Sequence, residues 1–406
     1  MEFTMFGIAR GARYGKDRKQ SRQEGRQADV PPLAPPDLPV RSESRHDRCR
    51  NAYFAKGLHL SRQDRWDMLG RLIAETDRNR VATPSGTALA AVLADGARSD
   101  AVRHARSAIT SPDTPVPEGI CALTEVAEEH PGSWAVSLVV ARAQIDSAWA
   151  YEGQVDPYYL PFAPSSAFLD GFASASALVD RVGQLAPESA EIAATRCDLL
   201  AALPDASDLV GTCHETAISL DPHNPGRLRA YGVHLLPRWF GSYERLAEAG
   251  EILSEELRDI WGDRAYAWFW FDALRLDPEA GTELDVDRFV AGLGAILDET
   301  GDPHLTNLVA AYADGMKPAM DPEVITPEAR KVRSRIHATL PDVAERHLTE
   351  LHPQVWARVG AVPGAMLTGP LSPGRIAAAT VQARTALEAA AAARQLDREA
   401  GTGQRA

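Results

Sequence analysis

Three histidines, His214, His223 and His234, fall close together in the chain, with Glu215 and Asp221 among them. Imidazoles and carboxylates are the usual zinc ligands and the usual proton-transfer groups. A zinc-binding helix of the His-Glu-x-x-His kind needs a second imidazole one turn on, so that both rings share a face. Here His214-Glu215 is followed by Thr216, Ala217 and Ile218, so His214 is expected to face a neighbouring helix or solvent. Cys213 stands beside His214, but adjacent side chains on a helix point apart. None of Cys49, Cys121, Cys197 and Cys213 forms a Cys-x-x-Cys pair, and reduced, buried thiols are the simpler expectation. The carboxylates Glu128-Glu129, Glu255-Glu256 and Asp146 with Glu152 do acid–base work only if a cleft brings them together; on helices such pairs usually form a solvated face. No Gly-x-Ser-x-Gly elbow is present, and no glycine-rich loop precedes Lys-Ser or Lys-Thr. The expectation is no catalytic residue, no metal ligand and no cofactor.

Recognition chemistry is better represented. The stretch Pro237-Arg238-Trp239-Phe240-Gly241 puts arginine and tryptophan, the side chains most enriched at binding hot spots, between residues that restrict the backbone. Tyr158-Tyr159 sits in a second irregular stretch. Arg238, Trp239, Phe240, Tyr158 and Tyr159 are the candidate partner-binding residues. The alternative for Trp239 is a plug between two helix pairs, with Arg238 capping helix carbonyls. A denser cluster, Trp261, Tyr266, Trp268, Phe269, Trp270 and Phe271, reads mainly as core. At least one of its rings is expected on a groove or under the insertion loop, because six aromatics around one helix cannot all face inward.

The elements that position these residues are helical. The 406-residue chain is 45% hydrophobic and 24% charged, enough for a substantial core. Alanine, the best helix former, abounds. Residues 1–47 are basic, rich in proline and expected to be disordered, since Val30-Pro31-Pro32-Leu33-Ala34-Pro35-Pro36 cannot be helical. The net charge is −13, and the acidic body argues against general nucleic-acid binding. The first ten residues lack the apolar run of a secretory signal, and no apolar run is long enough to span a bilayer; a cytoplasmic location is expected. Ser61 reads as the cap of a helix running through Leu69, Leu72 and Ile73. Thr326-Pro327-Glu328 and Ser372-Pro373 open later helices.

Four helices are expected to stop at a proline: Pro131, Pro187, Pro222 and Pro278. The runs Ala217-Ile218-Ser219-Leu220-Asp221-Pro222 and Ala273-Leu274-Arg275-Leu276-Asp277-Pro278 resemble the end of the second helix of a tetratricopeptide repeat. Leu228-Arg229-Ala230-Tyr231-Gly232 resembles the start of that family's first helix, with Gly232 as the small residue at the helix crossing. Pro187 to Pro222 is about one ~34-residue repeat; the longer intervals on either side imply insertions. The resemblance covers residues 118–280 and implies an all-α fold, a right-handed superhelical array of antiparallel helix hairpins. It implies three regions: the tail at 1–47, a repeat domain at 48–320 and a C-terminal helical extension at 321–406. It also implies a non-catalytic protein-interaction scaffold holding a peptide or protein on its concave face, and the acidic body favours a basic partner segment. The alternative is an enzyme in an inter-helix cleft near residues 151–162 and 234–243, where Asp146, His234 and Arg238 would converge.

Overall fold

A computed structural model describes residues 38–152, 164–317, 325–359 and 371–403. Helices hold 76% of these residues, in eighteen α-helices, and no strand occurs among them. The fold is all-α. By compactness the chain divides into two units, His46–Ala273 and a second comprising 38–45 with 274–403.

The first unit contains α1 (Arg45–Arg62), α2 (Trp66–Arg78), α3 (Leu89–Ala108), α4 (Glu118–Glu129), α5 (Trp134–Tyr151), α6 (Ser166–Gly183), α7 (Ala190–Leu199) and α8 (Ala206–Leu220). It continues through α9 (Pro225–His234), α10 (Tyr243–Glu256), the single turn α11 (Arg258–Trp261) and α12 (Arg264–Leu276). Each of α4 to α9 packs on the helix that follows or precedes it, and α5 also packs on α3 and α7. The helix stops fall near the prolines: α4, α8 and α12 end two residues before Pro131, Pro222 and Pro278, and α6 ends four residues before Pro187. A cap stands two residues after three of these prolines. Ser133 accepts from Val136 N, Ser189 from Ile192 N and Asn224 from Gly226 N, which opens α5, α7 and α9. The proline denies the old helix a donor and the cap supplies an acceptor to the new one. The stop-and-restart signal is thus compressed into three residues.

Helix α5 is buried nearly all round, as its mostly apolar sequence requires. One side joins Leu69, Ile73, Leu93 and Val140 in a core with α2, α3 and α4. The other presents Leu138 and Ile145 to Phe168, Phe172 and Val179 of α6. Gly232 lies where α9 crosses α12. A Cβ there would fall 2.1 Å from the Phe269 carbonyl oxygen, so no other residue fits without separating the helices.

The second unit contains α13 (Val286–Thr300), α14 (Pro303–Gly315), α15 (Pro327–His337), α16 (Leu340–Arg346), α17 (Pro353–Val359) and α18 (Pro373–Gly403). Thr326 caps α15 and Ser372 caps α18, as their sequences predict. Asn307 on α14 is fully buried and fully used. Its Nδ2 donates to the Pro303 and Glu350 carbonyls, and its Oδ1 accepts from His352 N and Trp356 Nε1.

Two expectations need correction and a third is narrowed. The tail expected to reach residue 47 is folded from 38 onward: Leu38 is buried, Arg41 N donates to Leu351 O, Leu351 N donates to Pro39 O, and α1 begins at Arg45. Residues 1–37 lie outside the described residues. Ser61 caps nothing, because it falls inside α1 and donates to Leu58 O. All six clustered aromatics, Trp261 to Phe271, are buried, with none on a groove. Helix α12 is enclosed on every side, so the limit of one inward face does not apply to it.

Candidate functional site

One cleft in the first unit gathers the charged residues that its apolar helices carry. It encloses about 50 Å³, within an open volume of about 830 Å³ that includes solvent at its mouth. Four helices line it, each with residues at helical spacing. Helix α3 supplies Asp95 and Arg98, α5 supplies Arg142, Asp146 and Trp149, α7 supplies Glu191 and Asp198, and α9 supplies Arg227 and His234. These are the alternate helices of the series, and three of them, α5, α7 and α9, open from the proline-and-cap signal. Residues three, four and seven apart share a helix face, so each helix turns one polar stripe to the cleft and its apolar remainder to the core.

The charges are paired across helices. Arg98 Nε donates to Asp146 Oδ2 at 2.7 Å, and Arg98 Nη1 lies 2.6 Å from Asp95 Oδ1. Arg142 reaches both Glu191 and Asp198 at 3.6 Å, and its Nε donates to Thr195 Oγ1 at 3.0 Å. Arg142 and Asp198 each stand the same number of residues after their helix caps, Ser133 and Ser189, so neighbouring helices meet in register. Arg227 Nη2 donates to Glu191 Oε1 at 2.7 Å with both side chains at most 3% exposed.

Electrostatics follow from this pairing. Burial opposes ionisation of Asp146, but Arg98, aided by Arg106, holds its carboxyl below its ordinary value. Burial likewise opposes Glu191, and Arg227 and Arg142 outweigh it. At Asp198 burial wins over the same two arginines and the carboxyl is raised. Beside the cleft, burial and then the Glu191 charge push Asp77 up to about 6, against Arg80. His214 and His234 face each other with Nε2 to Nδ1 at 3.0 Å. Burial lowers His234 to about 4 and pushes His214 well below its ordinary value. Both rings are therefore neutral at pH 7, and one donates while the other accepts.

Among the cleft-lining residues outside the ion pairs, Thr87 Oγ1 and Trp239 Nε1 are buried without a hydrogen-bond partner. Thr87 is held by the turn before α3, where its N donates to Thr83 Oγ1 and its carbonyl accepts from Thr83 N. Gly86 takes the left-handed φ of 95° that this turn needs. A buried donor left unmatched costs ~1–3 kcal/mol, so each of these atoms calls for a partner, a water or a bound group.

The sequence-derived residues fall as follows. Trp239 lies in the turn after α9, its N donating to Leu236 O. Its ring meets Trp149 edge-on at 6.2 Å and His234 at 5.7 Å, and it lines the cleft. Phe240 packs against His234 at 5.3 Å. Arg238 is half-buried and is not among the cleft-lining residues. Tyr158 and Tyr159 lie outside the described residues. Asp146 and His234 do share the cleft, without Arg238. Glu128, Glu129, Glu255 and Glu256 are exposed, and Glu152 binds Ser165 rather than Asp146. Sequence reasoning passed over Arg98, Arg142, Glu191 and Arg227. The available signal was a charged pair one turn apart, Arg142 and Asp146, in a helix with no other charge.

No protein-family model, curated protein or solved structure matches the chain. No helix among the described residues is long and apolar enough to cross a membrane.

Proposed function

We propose that this chain is a non-catalytic binding module, a tetratricopeptide-like array of helix hairpins whose inner face receives an extended, basic peptide segment of a partner protein. The observation that supports this reading most directly is the shared cleft of alternate helices. One helix from each successive pair contributes a polar stripe, the arrangement expected on the inner face of stacked hairpins. Among the lining residues four carboxylates, Asp95, Asp146, Glu191 and Asp198, meet three arginines, Arg98, Arg142 and Arg227. The chain as a whole carries −13. That balance favours a cationic ligand and speeds its approach. The unmatched Thr87 hydroxyl and Trp239 indole N–H suit the carbonyl and amide groups of a peptide backbone.

A second reading, an enzyme, draws on the presence of Asp146 and His234 in one cleft. The pairing weighs against it. Asp146 is fixed as an ionised acceptor by Arg98, and His234 spends a ring nitrogen on His214, so neither is poised to exchange protons near neutrality.

Selection of a displayed random-peptide library on the intact protein tests the proposal. Enriched basic peptides whose affinity drops about tenfold or more in Thr87→Val, the loss expected for one hydrogen bond of ~1.4 kcal/mol, support it. Enriched peptides indifferent to Thr87→Val and to Trp239→Phe would place recognition elsewhere, and failure to enrich any peptide would favour the enzyme reading.

A further inference from the structure

Beyond the cleft, α7 and α8 carry a pair of cysteines whose placement suits chemistry. Cys197 lies as far before Asp205, which opens α8, as Cys213 lies after it. In two packed helices joined by a short turn, such positions face each other. One turn further from the connection, Ala193 and Ala217 occupy the next facing positions. All four residues belong to one small cluster, in which Cys197, Ala193 and Ala217 are buried and Cys213 packs against them half-exposed. Alanines there let the two backbones approach, and a disulfide needs Cα atoms no more than about 7 Å apart. The two sulfurs differ in access: Cys197 is 3% exposed, while Cys213 is reachable from solvent.

We propose that Cys197 and Cys213 form a peroxide-reactive dithiol, in which Cys213 is oxidised first and Cys197 resolves it to a disulfide joining α7 to α8. The Cys213 thiolate attacks one oxygen of hydrogen peroxide, the O–O bond breaks, and hydroxide leaves. Cys213 is then a sulfenic acid. The Cys197 sulfur, giving up its proton, attacks the Cys213 sulfur; the S–O bond breaks and water departs. In total two thiols lose two electrons and two protons, and one peroxide becomes two waters. The local chemistry favours this order. A hydrogen bond from the Cys197 thiol, with the nearby Arg196 charge and against burial, brings Cys213 down to about 7, while the same partner and burial push Cys197 up. The thiolate is the reactive species. Cys197 directly precedes Asp198, so the bond would form immediately behind the wall of the cleft. The chemistry nevertheless stands whether or not the cleft binds a peptide.

The test is brief exposure of the full chain to hydrogen peroxide, then alkylation and peptide mapping. The expected result is loss of two of the four free thiols, an intramolecular Cys197–Cys213 linkage, and reversal by a thiol reductant. Cys197→Ser should stop the reaction at a Cys213 sulfenic acid trapped by dimedone, and Cys213→Ser should abolish the linkage. The wild-type map alone decides the matter should either variant misfold. Oxidation of the exposed Cys121 ahead of Cys213, or no linkage between Cys197 and Cys213, would overturn the proposal. Because the readout is covalent, it is independent of peptide binding.

Discussion

His214 Nε2 and His234 Nδ1 lie 3.0 Å apart, an enclosed pair that ties α8 to the last residue of α9 beside the cleft. Neither ring reaches a carboxylate in this bond. Protonating one ring leaves it donating to its neutral neighbour but buries an uncompensated charge, and protonating both breaks the bond. The pair is therefore most favourable while both imidazoles are neutral.

Acid should weaken the fold through these rings. His234 titrates near 6.5 when unfolded and about 4 when folded, so between those values the unfolded chain holds the extra proton. Stability rises with pH across that window and is lost as pH falls through it, by about 3 kcal/mol for His234. Chemical denaturation of wild type and His234→Gln from pH 7 to 4 checks this. The variant should start less stable and show the shallower fall.

Asp77 should act with the opposite sign. Its folded carboxyl holds a proton up to about 6, against 3.8 for the ordinary group. Between those values the folded state holds the extra proton, so its contribution is present at low pH and is lost as pH rises. Asp77→Asn cannot ionise. Relative to wild type it should gain up to about 3 kcal/mol between pH 4 and pH 7. A variant-to-wild-type difference that stays constant with pH would contradict the assignment.

Removing one partner of the Arg98–Asp146 pair should cost more than removing both. Arg98→Met strands a buried carboxylate and should destabilise by about 3–5 kcal/mol. Arg98→Met with Asp146→Leu should recover most of the loss. Urea unfolding of the two single variants and the double variant measures the coupling.

The unmatched atoms predict a trade between stability and binding. Thr87→Val keeps the side-chain shape and removes a buried hydroxyl without a partner, so the unliganded protein should be more stable by ~1 kcal/mol. A fall in melting temperature would mean that the hydroxyl is already satisfied.

Gly232→Ala should damage the α9–α12 crossing, because its methyl would stand 2.1 Å from the Phe269 oxygen. A loss of about 3 kcal/mol is expected. Thermal unfolding that matches wild type would refute the close approach.

The helix boundaries were legible because their signals are local. Pro131, Pro187 and Pro222 end helices for lack of a donor, and Ser133, Ser189 and Asn224 restart them with a single acceptor. Ser61 misled because the same hydroxyl that caps a helix also bonds a carbonyl within one. The aromatics of α12 misled because sequence shows a helix's own faces, not how many neighbours cover them. The cleft was only half legible. Trp239 stood out by residue type, and it does line the cleft. Arg98, Glu191 and Arg227 are spread over three helices, and each alone resembles an ordinary charged position. Only the packing of α3, α5, α7 and α9 makes them one site. Pairings such as Arg227–Glu191 depend on a register between helices that no single helix encodes.

The most direct test of the binding-module reading is hydrogen exchange on the full chain, with and without a library-selected basic peptide. The proposal predicts new protection concentrated in 87–98, 142–149, 191–198 and 227–239, the segments that border the cleft. Protection confined to α4, α6 and α8, or to residues 274–403, would contradict it.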